Sequence, residues 1–270
     1  MRDARQAAVS GHFYPGEKQA LLKALKGYVR VSEKKEPAIA VICPHAGYVY
    51  SGKVAGMVYG KVSMPDSVIL LGPNHHGYGE PFAIMREGSW QTPLGEVEIN
   101  TPLAEKIIAQ SRYLHADSLA HVPEHSIEVQ IPFLQYIKND IRIVPITLYG
   151  NLESTAWPEI GIAISEAIKD YGEKVLIVAS SDFTHYETRE KAEENDRYAI
   201  EAITDLNEDL FIERIAERDI SICGFAPIVT AIIASKNLGA KTAELVEYRT
   251  SGDVSGDYEQ VVGYAGIVIK

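Results

Sequence analysis

One stretch of the sequence indicates the class of fold: Ser67-Val68-Ile69-Leu70-Leu71-Gly72-Pro73-Asn74-His75-His76-Gly77. Its short apolar run, rich in β-branched residues, is typical of a buried strand. Gly72 and Pro73 end the strand, because proline cannot donate to a ladder and glycine permits tight turns. His75 and His76 follow in the loop at the carboxyl end of the strand. Open α/β sheets bind ligands at such ends, so we expect the functional site there.

Two further stretches repeat this arrangement. The predicted strand 38–43 ends at a loop that contains His45, and the predicted strand 174–179 ends at a loop that contains His185. Helical patterns separate the strands, and this alternation is typical of parallel βαβ units. We therefore predict an α/β fold, in which a single domain over residues 1–270 has a mostly parallel central sheet flanked by helices.

Prolines refine the prediction at three places. The segment 141–148 is a predicted strand, and Pro145 within it is best tolerated at a sheet edge or a bulge. Pro132 should kink or delay the helix predicted over 125–138. Pro93-Leu94-Gly95 predicts the turn of a β-hairpin.

Composition restricts the classes of partner. The 270 residues include 26 basic and 37 acidic side chains, a net charge of −11 that disfavours binding to nucleic acid or anionic lipid. The N-terminus leads into no apolar segment of a signal peptide, and no apolar run reaches the ~18 residues of a membrane span. Two cysteines, Cys43 and Cys223, form neither a disulfide framework nor a zinc-finger spacing. We expect a cytoplasmic protein with reduced thiols.

Histidines are the main candidates for chemistry. Four of them follow predicted strands at their carboxyl ends: His45, His75, His76 and His185. A single loop histidine is usually structural, but four at one sheet edge indicate a metal site, since imidazole is a common ligand of zinc, iron and copper. Three residues are candidates for a further donor, and spacing does not choose among them: Cys223, Asp182 and Glu128.

Asp182 and His185 stand three residues apart and would face each other on one helical turn. The carboxylate could then orient the imidazole or support a metal-binding histidine. Ser180 and Ser181 precede them, and we predict both serines to be helix N-caps, because the Gly-x-Ser-x-Gly motif of a nucleophile elbow is absent.

A second polar cluster is Glu124-His125-Ser126-Ile127-Glu128. His125 and Glu128 would share one face of a helix, which fits a solvated helix start as well as an active-site role. His115 and His121 lack a partner pattern, so we predict them to be structural or exposed to solvent.

Five motifs in this order resemble the Memo family: Pro44-His45-Ala46-Gly47-Tyr48, Leu71-Gly72-Pro73-Asn74-His75-His76, Glu124-His125-Ser126-Ile127-Glu128, Ser181-Asp182-Phe183-Thr184-His185 and Ile222-Cys223-Gly224. The resemblance covers nearly the whole chain. It implies a fold similar to that of class III extradiol dioxygenases, which use non-haem Fe(II). It also implies three metal ligands, namely His45, His75 and Cys223, and a pocket lined by three further residues, namely His125, Asp182 and His185.

Cys223 stands where the dioxygenases have a carboxylate. A thiolate is a softer ligand, which shifts the preference toward copper or zinc as well as iron, and it can be oxidised. The resemblance favours a metal-dependent redox enzyme, with iron as the metal and His185 as the acid–base group. One alternative is a non-catalytic binding module, whose pocket takes a peptide or small molecule, as eukaryotic Memo proteins are associated with phosphotyrosine peptides. A third is a zinc hydrolase in which His185 or Glu128 activates water.

Overall fold

A largely parallel sheet runs through the middle of the protein, whose computed structural model describes residues 4–152 and 154–270. The strands of this part of the chain are β1 (Ala4–Arg5), β2 (Ala40–Cys43), β3 (Ser67–Pro73), β4 (Phe82–Ile84), β5 (Ser89–Thr92), β6 (Gly95–Ile99), β7 (His115–Ala116), β8 (Arg142–Leu148), β9 (Val175–Ser180), β10 (His185–Glu187), β11 (Ala243–Thr250) and β12 (Val261–Ile269). The α-helices are α1 (Lys18–Tyr28), α2 (Tyr48–Lys61), α3 (Thr101–Gln110), α4 (Ile131–Ile137), α5 (Ala156–Tyr171), α6 (Arg189–Thr204), α7 (Glu208–Arg218), α8 (Phe225–Asn237) and α9 (Gly252–Ser255). Two short 3₁₀ helices are Leu119–His121 and Glu128–Gln130.

Five strands form the parallel centre of the sheet. Their order is β6-β8-β3-β9-β2, and each neighbouring pair is parallel. Antiparallel pairs flank this centre: β5 against β6 on one side and β12 against β2 on the other. Because parallel neighbours share a direction, the carboxyl ends of β3, β9 and β2 lie side by side. The predicted α/β fold with a mostly parallel sheet is confirmed.

Helices cover both faces of the sheet, which explains why the central strands are apolar throughout. Along β3, Val68 and Leu70 pack into one hydrophobic core while Ile69 and Leu71 pack into the other, as the two-residue period of a strand requires. The first core contains side chains of α1, α2 and α4, and the second contains side chains of α3 and α5 to α8. None of the described helices has both the length and the apolar character that a membrane crossing needs.

Pro145 corrects one prediction. We expected it at a sheet edge or a bulge, but β8 lies inside the sheet, where Pro145 pairs with Leu70 of β3. Its carbonyl accepts from the Met85 N–H on the opposite side, at 3.0 Å. The backbone nitrogen and carbonyl of one residue point to the same side of a strand, so the Pro145 nitrogen also points away from β3. On that side β8 pairs with β6 before Pro145 and with β4 after it, so the missing N–H of Pro145 falls in the gap between the two partner strands. No bond to β3 is lost.

The other two proline predictions are confirmed. Helix α4 begins only at Ile131, so that Pro132 lies in its first turn, where the absent N–H costs no intrahelical bond. In the β5–β6 hairpin Thr92 pairs with Gly95, which leaves Pro93 and Leu94 as the two loop residues.

Three glycines let α2 pack closely against the chain that leaves α1. They recur every four residues on one face of α2 and are Gly52, Gly56 and Gly60. A Cβ at Gly56 would lie 2.5 Å from the carbonyl carbon and oxygen of Tyr28, which belong to the backbone and have no rotamer to change. The approach of α2 therefore requires glycine, and this packing supports the helix that follows the His45 loop.

We expect Gly56→Ala to lower the free energy of unfolding by about 1–3 kcal/mol, because the methyl group overpacks the contact with Tyr28. Gly27→Ala is the control: Gly27 lies in α1, and a Cβ there would have nothing within 4 Å. That change should be neutral or raise stability by up to about 1 kcal/mol, the cost of glycine in a helix. Denaturant unfolding of both variants measures the difference. Equal effects of the two substitutions would show that the close approach of α2 is unimportant.

Candidate metal site

The loops after three adjacent strands meet at the carboxyl edge of the sheet. His45 follows β2, His75 follows β3, and Asp182 follows β9. The rings of His45 and His75 have centroids 5.2 Å apart. Cys223, which precedes α8, has its Sγ atom 3.2 Å from Nε2 of His45. The structure thus brings together a set of side chains that the sequence places more than 170 residues apart, from His45 to Cys223.

Ser180 fixes the tautomer of His45. The Ser180 hydroxyl donates its one hydrogen to the carbonyl of Ser126, at 2.6 Å, and accepts from Nε2 of Gln130, at 2.8 Å. Toward Nδ1 of His45, 3.0 Å away, it can therefore only accept, so the proton of the neutral imidazole lies on Nδ1. Nε2 is left with a free lone pair next to Cys223. Burial, with the nearby His75 and His125 rings, holds the pKa of His45 well below its usual range, so the ring is neutral.

Glu124 fixes His75 in the same way. The Glu124 carboxylate is fully buried and accepts from the backbone N–H of His75, at 2.7 Å, and from its Nδ1, at 3.0 Å. It also accepts from the Ser126 N–H, at 2.8 Å. Burial raises the pKa of this carboxyl group, but the hydrogen bonds from His75 and Ser126 lower it more, and the net pKa lies below the usual range. Nδ1 of His75 therefore carries a hydrogen, and in the neutral form of the imidazole Nε2 is free to bind a metal.

Sequence reasoning missed this role of Glu124. The residue was visible as a member of a polar cluster, but its partner His75 is 49 positions away, and no local spacing connects them. The one signal in the sequence that could have pointed to a role of Glu124 in the site is that it directly precedes His125. Anchoring of a ligand histidine by a buried carboxylate is a common arrangement around protein-bound metals.

His125 lies beside the two ligand candidates. Its ring centroid is 4.7 Å from that of His75 and 5.5 Å from that of His45. One candidate ligand atom from each of these three histidines lies within 4.8 Å of the others. Burial lowers the pKa of His125 to about 4, so its ring is neutral at physiological pH. A second group of this kind among the described residues contains His76, Glu124 and His125.

Asp182 supports the His45 loop. Its Oδ1 atom accepts from the backbone N–H of His45, at 2.7 Å, and from that of Ala46, at 3.3 Å. The Asp182 N–H in turn points to Sγ of Cys223, at 3.3 Å. Burial raises the pKa of the Asp182 carboxyl group to about 6. Asp182 thus connects the two loops that carry His45 and Cys223.

Two predictions for the segment after β9 are wrong. Residues 181–184 have no helical structure, so Asp182 and His185 do not share a helical turn. Ser180 and Ser181 accordingly are not N-caps of a following helix: Ser180 belongs to the hydrogen bonds around His45, and the Ser181 hydroxyl accepts from the Gly224 N–H. The prediction failed because spacing of three residues is compatible with both a helical turn and an extended loop.

His185 lies in β10, at a β-bulge against β12. His185 pairs with Val262 and Glu187 with Val261, so Tyr186 is the extra residue, with a φ of 60° that bulky side chains rarely adopt. Nδ1 of His185 donates to the carbonyl of Ser221, at 2.8 Å, which leaves Nε2 with a free lone pair. Ser221 stands two residues before Cys223, so the bond ties His185 to the loop of Cys223.

Gly224 lets Cys223 approach the end of β9. A Cβ at Gly224 would lie 2.4 Å from the carbonyl oxygen of Ser180 and from Cβ of Ser181. A larger residue would push the loop, and with it Cys223, away from His45. Desolvation, followed by the charge of Asp182, raises the pKa of the Cys223 thiol above its usual range.

The remaining candidates have other roles. Glu128, an alternative donor, is fully buried with its carboxylate bonded to Arg5, at 2.6 Å, and to the Tyr14 hydroxyl, at 2.7 Å. His121 is buried against Trp90, and His115 is exposed on β7. Both agree with the prediction of structural or solvent-facing residues.

Known proteins are similar to this chain over nearly its whole length. The family model described as Memo-like protein matches residues 5–268. A relative from Methanosarcina mazei named MEMO1 family protein is 43% identical over 99% of this chain and 100% of its own length. A relative of the same name from Pyrobaculum arsenaticum is 42% identical over 98% of each chain. The crystal structure of an uncharacterized protein from Escherichia coli K12 has a TM-score of 0.51 and 13% identity, covers 83% of this chain and 98% of that one, and is alike in fold alone.

We expect Glu124→Gln to weaken the binding of Zn²⁺ or Co²⁺ by about 10–100-fold, the usual effect of losing the partner of a ligand histidine. Glu128→Gln is a matched control, because Glu128 is an equally buried glutamate four residues away. It leaves the charge of Arg5 unpaired, so it should destabilise the fold by about 3–5 kcal/mol while the folded protein keeps its metal affinity. Metal titration and thermal unfolding separate the two effects. Unchanged metal affinity in Glu124→Gln would contradict the anchoring role.

Proposed function

The chain belongs to the Memo family, and we propose that it binds one metal ion at the carboxyl edge of its sheet through His45, His75 and Cys223. One observation carries the proposal: the free Nε2 of buried His45 lies 3.2 Å from Sγ of Cys223. Two donors from distant parts of the chain are thus in contact at a sheet edge. His75 supports the proposal, since its Nδ1 is bonded to Glu124 and its Nε2 is free.

The chemistry of these donors fits a borderline metal ion. Two neutral imidazoles and a thiolate suit iron, copper or zinc, whereas Mg²⁺ and Ca²⁺ prefer oxygen ligands. We favour iron, in line with the resemblance to the extradiol dioxygenases, and copper or zinc are the other outcomes that metal analysis distinguishes. Both cysteines are free, and a thiolate ligand must stay reduced, so we place the protein in the cytoplasm.

We assign the site to redox chemistry on a small molecule or peptide that enters from solvent. The metal ion, when bound, supplies a Lewis-acid and redox centre. The side chains of His75 and His125 are 29% and 20% exposed, so a ligand can reach this edge of the sheet. Tyr186 is 72% exposed, and its ring centroid lies 5.9 Å from that of His185.

His185 is the proposed acid–base residue. Its Nδ1–H is engaged by the Ser221 carbonyl, so its free Nε2 can take a proton from a bound ligand and return it later. Asp182 has a positioning role, because it holds the backbone of His45 and Ala46 and contacts Cys223 through its N–H. His125 lines the pocket beside His75.

Elemental analysis of the protein purified without oxygen tests the proposal. We expect about one iron per chain in the wild type and loss of the metal in His45→Ala, because His45 supplies the most buried donor. Absence of bound metal, together with no uptake of iron, copper or zinc on titration, would contradict the proposal and favour a binding module.

Alkylation of the two cysteines gives an independent test. A metal-bound thiolate is shielded, so the reaction of Cys223 should slow when metal is added and recover with a chelator. Cys43 is the internal control: it is fully buried at the end of β2 and should react slowly in both states. Mass spectrometry of the alkylated peptides measures both rates. Equal alkylation of Cys223 with and without metal would remove it from the ligand set.

A further inference from the structure

His75 and His125 have similar ring distances and ring angles to His45. The ring of His45 is almost perpendicular to that of His75, at 76°, and to that of His125, at 86°. The corresponding centroid distances are 5.2 and 5.5 Å. The rings of His75 and His125 themselves are stacked, with an angle of 16° between their planes and centroids 4.7 Å apart. Each of the stacked rings therefore offers His45 a similar second donor.

Stacking prevents both rings from binding one ion together in this arrangement. The lone pair of an imidazole nitrogen lies in the ring plane, so a bound metal ion lies close to that plane. Perpendicular planes intersect, and an ion can lie in the plane of His45 and in that of either other ring. The planes of His75 and His125 are nearly parallel, so an ion in one plane lies outside the other.

The same restriction is visible at Glu124, on the Nδ1 side of both rings. The Oε1 atom forms a hydrogen bond of 3.0 Å with Nδ1 of His75. Nδ1 of His125 is 3.4 Å from the same oxygen, beyond the ordinary length of such a bond. Oε1 of Glu124 thus forms a hydrogen bond with His75 only, and the His125 ring lies slightly too far away to form one.

The second group of candidate ligands does not provide a separate site. It combines His76 and His125 with Glu124, whose carboxylate already accepts three N–H donors from His75 and Ser126. A metal ion bound to Glu124 would have to displace the hydrogen bonds that orient His75. His125 is therefore more useful to the first site than to a second one.

From this geometry we propose that His125 is an alternative ligand to His75, so that the ion is held by His45, Cys223 and one of the two stacked rings. The proposal rests on the metal-binding function proposed above and adds a second position for the ion within the same site. Glu124 anchors the His75 ring through a hydrogen bond and has the same oxygen 3.4 Å from Nδ1 of His125. His75 is the outer position, and His125, less exposed and packed 4.8 Å from the Phe13 ring, is the inner one.

Cobalt titration of the metal-free protein tests the proposal. Co²⁺ suits sites of this type, and its thiolate charge-transfer absorption reports whether Cys223 is bound. The variants are His75→Ala, His125→Ala, the double substitution and His45→Ala. His76→Ala is the control, because His76 adjoins His75 in an exposed loop and stacks on Tyr78.

We expect His75→Ala to keep the thiolate absorption with an affinity about 10–100-fold lower, the range seen when support of a metal ligand is lost. His125→Ala and His76→Ala should bind as the wild type does. The double substitution should lose the absorption, as His45→Ala does. Long-range ¹H–¹⁵N spectra of the zinc-loaded wild type provide a measurement without substitutions, in which the Nε2 resonance of His75 should shift almost fully and that of His125 by about a tenth of a full shift or less, in proportion to its occupancy.

Three results would overturn the proposal. Complete loss of cobalt binding in a folded His75→Ala variant would show that His125 cannot replace His75. Equal losses of about tenfold or more in His75→Ala and His125→Ala would show that all three histidines bind at once, because equally populated alternatives would cost only about twofold each. Full shifts of both Nε2 resonances would show the same. If the wild type itself took up no cobalt or zinc, the proposed function would fail together with this inference, whereas the first two results leave the proposed function intact.

Discussion

Buried polar groups need partners, and this requirement organises the carboxyl edge of the sheet. A neutral imidazole has one donor nitrogen and one acceptor nitrogen, so every acceptor that takes an Nδ1–H also frees an Nε2. Ser180 does this for His45, Glu124 for His75 and the Ser221 carbonyl for His185. Three histidines with free Nε2 atoms therefore follow from three hydrogen bonds on the other side of their rings.

Two buried glutamates have different roles because they have different hydrogen-bond partners. Glu124 and Glu128 are both fully buried and belong to one polar cluster. Glu124 accepts from His75 and serves the site, whereas Glu128 neutralises Arg5 and fixes the N-terminal segment through the Ala8 and Val9 N–H groups. Their functions differ because their partners differ: Glu124 lies against the His75 loop, and Glu128 lies against the segment from Arg5 to Val9. A carboxylate without such partners would be too costly to bury.

Close approach of the backbone is the second condition for the site. Cys223 reaches His45 because Gly224 has no Cβ to collide with Ser180 and Ser181. Gly72 plays the same part for the loop after Glu124, since a Cβ there would lie 2.5 Å from the Ser126 hydroxyl oxygen. The positions of the donors that we propose to bind the metal thus depend on glycines that have no functional side chain.

The sequence by itself determined the class of fold and the edge of the sheet at which the polar residues gather. Apolar runs such as 67–71 predict buried strands, and a parallel sheet necessarily collects the loops with His45, His75 and His185 at one edge. The resemblance to the Memo family added Cys223, which periodicity could not choose over Asp182 or Glu128.

Tertiary structure alone decided the rest, because the deciding contacts join residues far apart in the chain. Spacing placed Asp182 and His185 on a helical turn, but Asp182 instead bonds to the backbone of His45, 137 positions away. No local pattern reveals that Pro145 can lie inside the sheet, since that depends on where β6 gives way to β4. The tautomers of the histidines, the anchoring by Glu124 and the stacking of His75 on His125 likewise exist only once the loops have met.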